Sequence, residues 1–161
     1  MRRPIPYLLT ILCVVLVASL GWATPAKGPK KPAGADKCPV CGMFVAKYPD
    51  FAAQIQYSDG STVFFDGAKD MFKYLQQPAA YRKGKQAGNM TGIYVTDYYS
   101  LAPVDGVSAW YVSGSDIYGP MGHELVPFGK EKDAREFMKD HKGKRLLRFR
   151  EVTPQVVKGL D

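Results

Sequence analysis

Cysteine is scarce in this chain, with 3 in 161 residues. That is too few for a small domain stapled by disulfides. Histidine is scarcer, at 2, and His123 and His141 lie too far apart for the closely spaced histidine pair of a zinc finger. No nucleophile elbow or His/carboxylate pair stands out, so a hydrolase would lack its machinery. No helix signal opens directly after Cys38-Pro39-Val40-Cys41, where a thioredoxin-type oxidoreductase needs a helix N-terminus to lower its thiol pKa. A hydrophobic content of 46% with 23% charged residues excludes collagen-like, coiled-coil and wholly disordered chains. What is plentiful is 16 Gly, 12 Pro, 10 Tyr and 8 Phe, the composition of short strands joined by many turns rather than of a helical bundle.

The N-terminus reads as an export signal. Arg2 and Arg3 precede an apolar run over residues 7–20, which as a helix would span about 21 Å against roughly 30 Å of bilayer hydrocarbon. Gly21-Trp22-Ala23 supplies the small residues of a cleavage site, so residues 1–23 are expected to be a signal peptide, with an uncleaved membrane anchor as the alternative. Cys13 sits inside the run, preceded by Leu12, which does not match the pattern of a lipid-modified cysteine. The exported body remains basic and enters an oxidising compartment, the periplasm.

Residues 24–37, rich in Pro, Ala, Gly and Lys, read as a flexible basic linker. A domain is expected over 38–152, divided near residue 90, followed by a tail over 153–161. Strands are expected at 52–57 and 62–65 around the Ser58-Asp59-Gly60-Ser61 turn. A helix from Asp66 as cap to about Gln77 follows. Further strands are expected at 93–96, 109–112, 124–128 and 145–152, with a helix at 130–141. Val63-Phe64-Phe65-Asp66-Gly67 matches Val126-Pro127-Phe128-Gly129-Lys130 in outline, and Asp70, Tyr74 and Leu75 then correspond to Asp133, Phe137 and Met138. This weak internal repeat predicts an α+β fold of two related strand-strand-helix-strand units, with a site where they meet.

The chemistry concentrates in two short segments. Cys38-Pro39-Val40-Cys41-Gly42-Met43 and Gly119-Pro120-Met121-Gly122-His123 each place two metal donors at i and i+2, which in extended chain point to the same side. Two such clips facing each other, within a monomer or across a dimer, would surround one ion. Thiolate and thioether are soft donors suited to Cu(I), and imidazole accepts copper or zinc. Zinc seldom uses methionine, so Met43 and Met121 tilt the set to Cu(I). Zinc on Cys38, Cys41, His123 and His141, and a Cys38–Cys41 disulfide, stand as alternatives. His141 otherwise reads as the cation at a helix C-terminus. Residues 130–150 carry nine Lys and Arg against four Asp and Glu. This is a solvated face, or one turned to anionic lipid or an acidic partner, rather than a nucleic-acid surface.

With these residues in view the chain resembles the NosL family, copper-binding accessory proteins for maturation of nitrous oxide reductase. The likeness rests on Cys38-Pro39-Val40-Cys41-Gly42-Met43, the Tyr48-Pro49 and Asp59-Gly60 turns, Phe65-Asp66-Gly67 with Asp70-Met71-Phe72, and Met121-Gly122-His123. It implies a periplasmic, non-enzymatic Cu(I) chaperone, with the enzyme's copper-assembly machinery, including a membrane ABC-type complex, as partner. It also implies Cys41, Met121 and His123 as the leading ligands, with Met43 and Cys38 behind them. A thiol oxidoreductase or a general copper buffer is the rival function.

Overall fold

Strict alternation in Ala53-Gln54-Ile55-Gln56-Tyr57 makes the first strand, because residues two apart share a face of a sheet. The computed structural model describes residues 28–82 and 89–161. The expected signal peptide and the start of the linker lie outside them. Strand β1 (Ala53–Tyr57) turns at Gly60, whose φ of +84° suits glycine, into β2 (Thr62–Phe65). Helix α1 (Ala68–Gln76) follows, and Pro78 opens the short α2 (Pro78–Tyr81) as its first residue, where the missing N–H costs nothing. β3 (Met90–Thr96) and β4 (Pro103–Asp105) complete an antiparallel sheet of order β2-β1-β3-β4.

The second unit repeats this path. β5 (Trp110–Gly119) and β6 (Gly122–Phe128) form a hairpin, α3 (Glu131–Asp140) crosses it, and β7 (Arg145–Arg148) pairs with β5 in a sheet of order β6-β5-β7. Thus β5, β6, α3 and β7 correspond to β1, β2, α1 and β3, the duplication expected from the sequence repeat. The helix starts correspond as well, at Gly67 and Lys130.

Three boundaries differ from expectation. Residues 90–96 pair with β1 and so close the first unit, across the expected division near residue 90, because β1 needs a partner on its second edge. The tail folds as α4 (Pro154–Lys158), capped by the Thr153 hydroxyl accepting from Val156 N, with Val156, Val157 and Leu160 buried. The linker is engaged from its first described residues. Gln54 clamps the Lys30 backbone, accepting from its N–H at 2.9 Å and donating to its carbonyl at 2.7 Å, and Gln56 donates to the Gly28 carbonyl at 3.0 Å. Covered by this strap, the polar side of β1 is as buried as its apolar side.

α1 lies between the units. Met71, Phe72 and Tyr74 pack with Ile55, Phe65 and Val95 of the first sheet and with Tyr111, Leu125 and Leu147 of the second. The other face of the second sheet, with Val112, Val126 and Phe128, is sealed by Ala134 and Phe137 of α3. A helix buried on nearly every side explains why the first turn of α1 holds charged residues out of water, and that turn is where the chemistry gathers.

Candidate metal centre

Cys38 and Cys41 sit in a tight loop whose base is a single antiparallel bridge between Lys37 and Phe44. Cys38 N–H donates to the Met43 carbonyl at 2.9 Å, and Gly42 N–H to the Cys38 carbonyl at 2.9 Å. Gly42 takes a φ of +81°, a conformation that L side chains rarely adopt. The turn aims the N–H groups of Cys41 and Val40 at the Cys38 sulfur, and that of Met43 at the Cys41 sulfur. Such donors stabilise thiolate.

The carboxylates come from the start of α1: Asp70 lies in its first turn and Asp66 immediately precedes the N-cap Gly67. Cys41 Sγ donates to Asp66 Oδ1 at 3.2 Å and Cys38 Sγ to Asp70 Oδ2 at 3.4 Å. One ligand atom from each of the four residues lies within 4.8 Å of all the others. Both thiols are free. Burial raises them, the Cys41 thiol to about 12 and the buried Cys38 thiol further, against the lowering by the loop N–H groups, and the hydrogen bond with Asp66 adds to the rise. Burial also raises the Asp70 carboxyl, opposed by its bonds to the thiols. Asp66 Oδ2 is buried with no hydrogen-bond partner among the described residues. Two S–H groups held by carboxylates, and one carboxylate oxygen left over, suit a cation that displaces the thiol protons.

The expectation of Asp66 as helix cap is therefore corrected. Gly67 is the N-cap and makes no side-chain bond, while Asp66 is turned toward Cys41. Glu124 of β6 supplies the missing carboxylate, with Oε1 accepting from Lys69 N at 2.6 Å and from Leu125 N at 2.8 Å. Glu124 is 3% exposed, and burial pushes its carboxyl up to about 7 in spite of those two N–H donors.

The second donor segment is the tip of the β5–β6 hairpin, where Tyr118 faces His123 and Gly119 faces Gly122. Met121 is 45% exposed. His123 is exposed and stacks on Tyr118 with ring centroids 4.8 Å apart. Lys69 Nζ donates to the Met121 carbonyl at 2.7 Å. The cysteine loop and the Met121-Gly122-His123 turn thus dock at the same end of α1, the former through Asp66 just before the helix and Asp70 in its first turn, the latter through Lys69. Met43 is half-buried at the end of the loop. His141 is placed elsewhere, as the C-cap of α3, with Nδ1 3.2 Å from Asp116 Oδ1 and its ring on Phe137. It joins the neighbourhood of Asp116, not of the cysteines.

Sequence inspection overlooks Asp66 and Asp70 as partners of sulfur, and Lys69 and Glu124 altogether. The signal for the first pair is two carboxylates four residues apart at the head of an expected helix. For Glu124 the only hint is a charge at the head of the apolar run Leu125-Val126-Pro127-Phe128.

A sequence model of the NosL family matches residues 29–157. The copper-binding lipoprotein NosL of Stutzerimonas stutzeri is 31% identical over 118 residues, covering 73% of this chain and 62% of that protein. The chain thus spans somewhat less than two thirds of that relative's length. The crystal structure of the copper chaperone NosL from Shewanella denitrificans superposes with a TM-score of 0.67 at 27% identity, covering 80% of this chain and 98% of the other. Among the described residues no helix is long and apolar enough to cross a membrane. Duplicated sheets, a C-x-x-C loop and a Met-Gly-His turn on one helix, together with these likenesses, lead to one assignment: the chain belongs to the NosL family.

Proposed function

We propose that this protein is an exported, non-enzymatic Cu(I) metallochaperone that delivers copper for assembly of the copper centre of nitrous oxide reductase, through machinery that includes a membrane ABC-type complex. Its relatives' names, a copper-binding lipoprotein and a copper chaperone, support copper as cargo. The observation that carries the reading is the two free thiols whose sulfurs sit with two carboxylate oxygens inside 4.8 Å, beside the helix start whose Lys69 donates to the Met121 carbonyl. In this reading the Cys41 thiolate offsets the ion's charge, with Cys38 beside it. Met121, His123 and Met43 are the neutral donors available from the rim.

Soft neutral donors at an exposed rim suit handover. A recipient's donor can enter at Met121 or His123 before the buried sulfurs let go. The thiol-oxidoreductase rival fares poorly on the same geometry, because a reactive cysteine needs a lowered pKa and an accessible sulfur. Here both thiols are raised and Cys38 is 1% exposed. The four-atom cluster itself favours one competitor for the cargo, a borderline divalent ion such as zinc on Cys38, Cys41, Asp66 and Asp70.

Titration of the reduced protein with Cu(I) against a competing chelator tests the reading. One ion per chain is expected, with the double variant M121A/H123A binding about tenfold or more weakly. Equal affinity in the double variant would remove the hairpin from the site, and tight Zn(II) binding insensitive to that variant would favour the divalent ion. Presented with its membrane acceptor, a chaperone transfers copper at a rate that climbs with acceptor concentration. A passive buffer releases it at a fixed rate.

A further inference from the structure

Among the described residues Lys69 is the only buried lysine or arginine, at 2% exposure. Its ammonium takes the Met121 carbonyl at 2.7 Å, the Leu160 carbonyl at 3.3 Å and Asp161 Oδ1 at 3.8 Å. The same Asp161 oxygen is held by Lys73. The backbone N–H of Lys69 meets Glu124 at 2.6 Å. One residue of α1 is therefore bonded at both its ends to the β5–β6 hairpin, on either side of Gly122 and His123. An ammonium taken out of water is a poor means of adding stability, and such groups are best understood where they fix one geometry over its alternatives.

The hairpin tip needs fixing. Pairing of β5 with β6 is interrupted between Ser113 and Tyr118, and β5 passes through Gly114 at a φ of +76° there. The distal pairs Tyr118–His123 and Gly119–Gly122 thus reach the body of the sheet only through an irregular stretch. The carbonyl that Lys69 grips belongs to Met121 itself, immediately before Gly122 at a φ of +84°.

We propose that Lys69 is a positioning residue for copper binding. Its ammonium, with Glu124 as second anchor, holds the Met121-Gly122-His123 turn where the thioether and imidazole reach an ion already bound by the cysteines. This rests on the copper reading above. Lys69 contributes no donor atom to the ion; it sets where two donors stand.

The test is a double-mutant cycle in Cu(I) affinity, by chelator competition with the full reduced chain. K69M is expected to weaken binding about tenfold in the parent, and by less than about twofold in the M121A/H123A background, where no donor is left to position. K69R, which keeps the charge and the donors, restores most of the affinity. In the metal-free K69M protein, amide exchange at Gly122 and His123 accelerates while β1 is unchanged. An equal loss in both backgrounds, or no loss in the parent, overturns the proposal. Should K69M fail to fold, K69Q enters the same cycle with the same expectations. If M121A/H123A itself binds as the parent does, the copper reading of the hairpin fails. The exchange rates at Gly122 and His123 then show separately whether Lys69 holds the turn, and unchanged rates overturn that too.

Discussion

Loading the reduced, metal-free protein with Cu(I) is expected to release close to two protons per ion at neutral pH. Cys41 titrates near 12 and Cys38 higher, both raised mainly by burial, so at pH 7 both sulfurs carry their hydrogens and point them at Asp66 and Asp70. Copper takes thiolate, not thiol. Each sulfur that binds must lose its proton, and the carboxylate already accepting it is the first station on the way to solvent. The sign follows directly: acid favours the metal-free state and base the loaded one. Apparent Cu(I) affinity should rise about tenfold per pH unit for each thiolate bound, across the whole range below the thiol values. Proton release is read by titration in weak buffer with an indicator dye. C41S keeps a hydroxyl donor for Asp66, so the fold should survive while affinity falls by more than about a hundredfold, since even outer-shell losses at metal sites reach that scale. Affinity independent of pH, or C41S binding like the parent, would show that the cysteines are not the ligands.

The second large effect concerns the helix start. Gly67→Ala is expected to lower stability by about 2–4 kcal/mol, from overpacking added to a disturbed buried carboxylate. Gly67 has an extended backbone with a φ of −162°, so the cost comes from space. A Cβ there would come within 2.9 Å of Glu124 Cδ, and nearer still to Oε2. Glu124 has little freedom to yield: it is buried, bonded to two N–H groups, and close to Gly119 as well. Urea unfolding should show a lower midpoint with an unchanged slope. In an E124A background the same substitution should cost under about half as much, because the obstacle is gone. A loss below about 0.5 kcal/mol in the parent, the level of an ordinary surface change, would contradict the close packing of α1 on the hairpin.

Much of the architecture is legible in the chain, for local reasons. Alternation in β1, the Asp59-Gly60 turn, and the matched strand-turn-helix segments at Val63 and Val126 are short-range patterns, and the duplicated units follow from them. The donors Cys38, Cys41, Met43, Met121 and His123 are visible as residue types in two compact segments. Long-range partners are what local pattern hides. Asp66 looks like a helix cap because it precedes Gly67 and a helix, yet the carboxylate serving that helix is Glu124, from another sheet. Residues 28–32 look like a tether because backbone bonding to Gln54 leaves no trace in Pro- and Lys-rich composition. Lys69 reads as one of many lysines until its three carbonyl and carboxylate partners are seen.

Copper K-edge X-ray absorption on the reduced protein loaded with one equivalent of Cu(I) tests the convergence of the two segments most directly. A first shell that combines sulfur with one imidazole nitrogen, the nitrogen disappearing in H123A and the sulfur count falling in C41S, is the expected result. A shell indifferent to both substitutions would mean that copper sits somewhere other than between the cysteine loop and the hairpin turn.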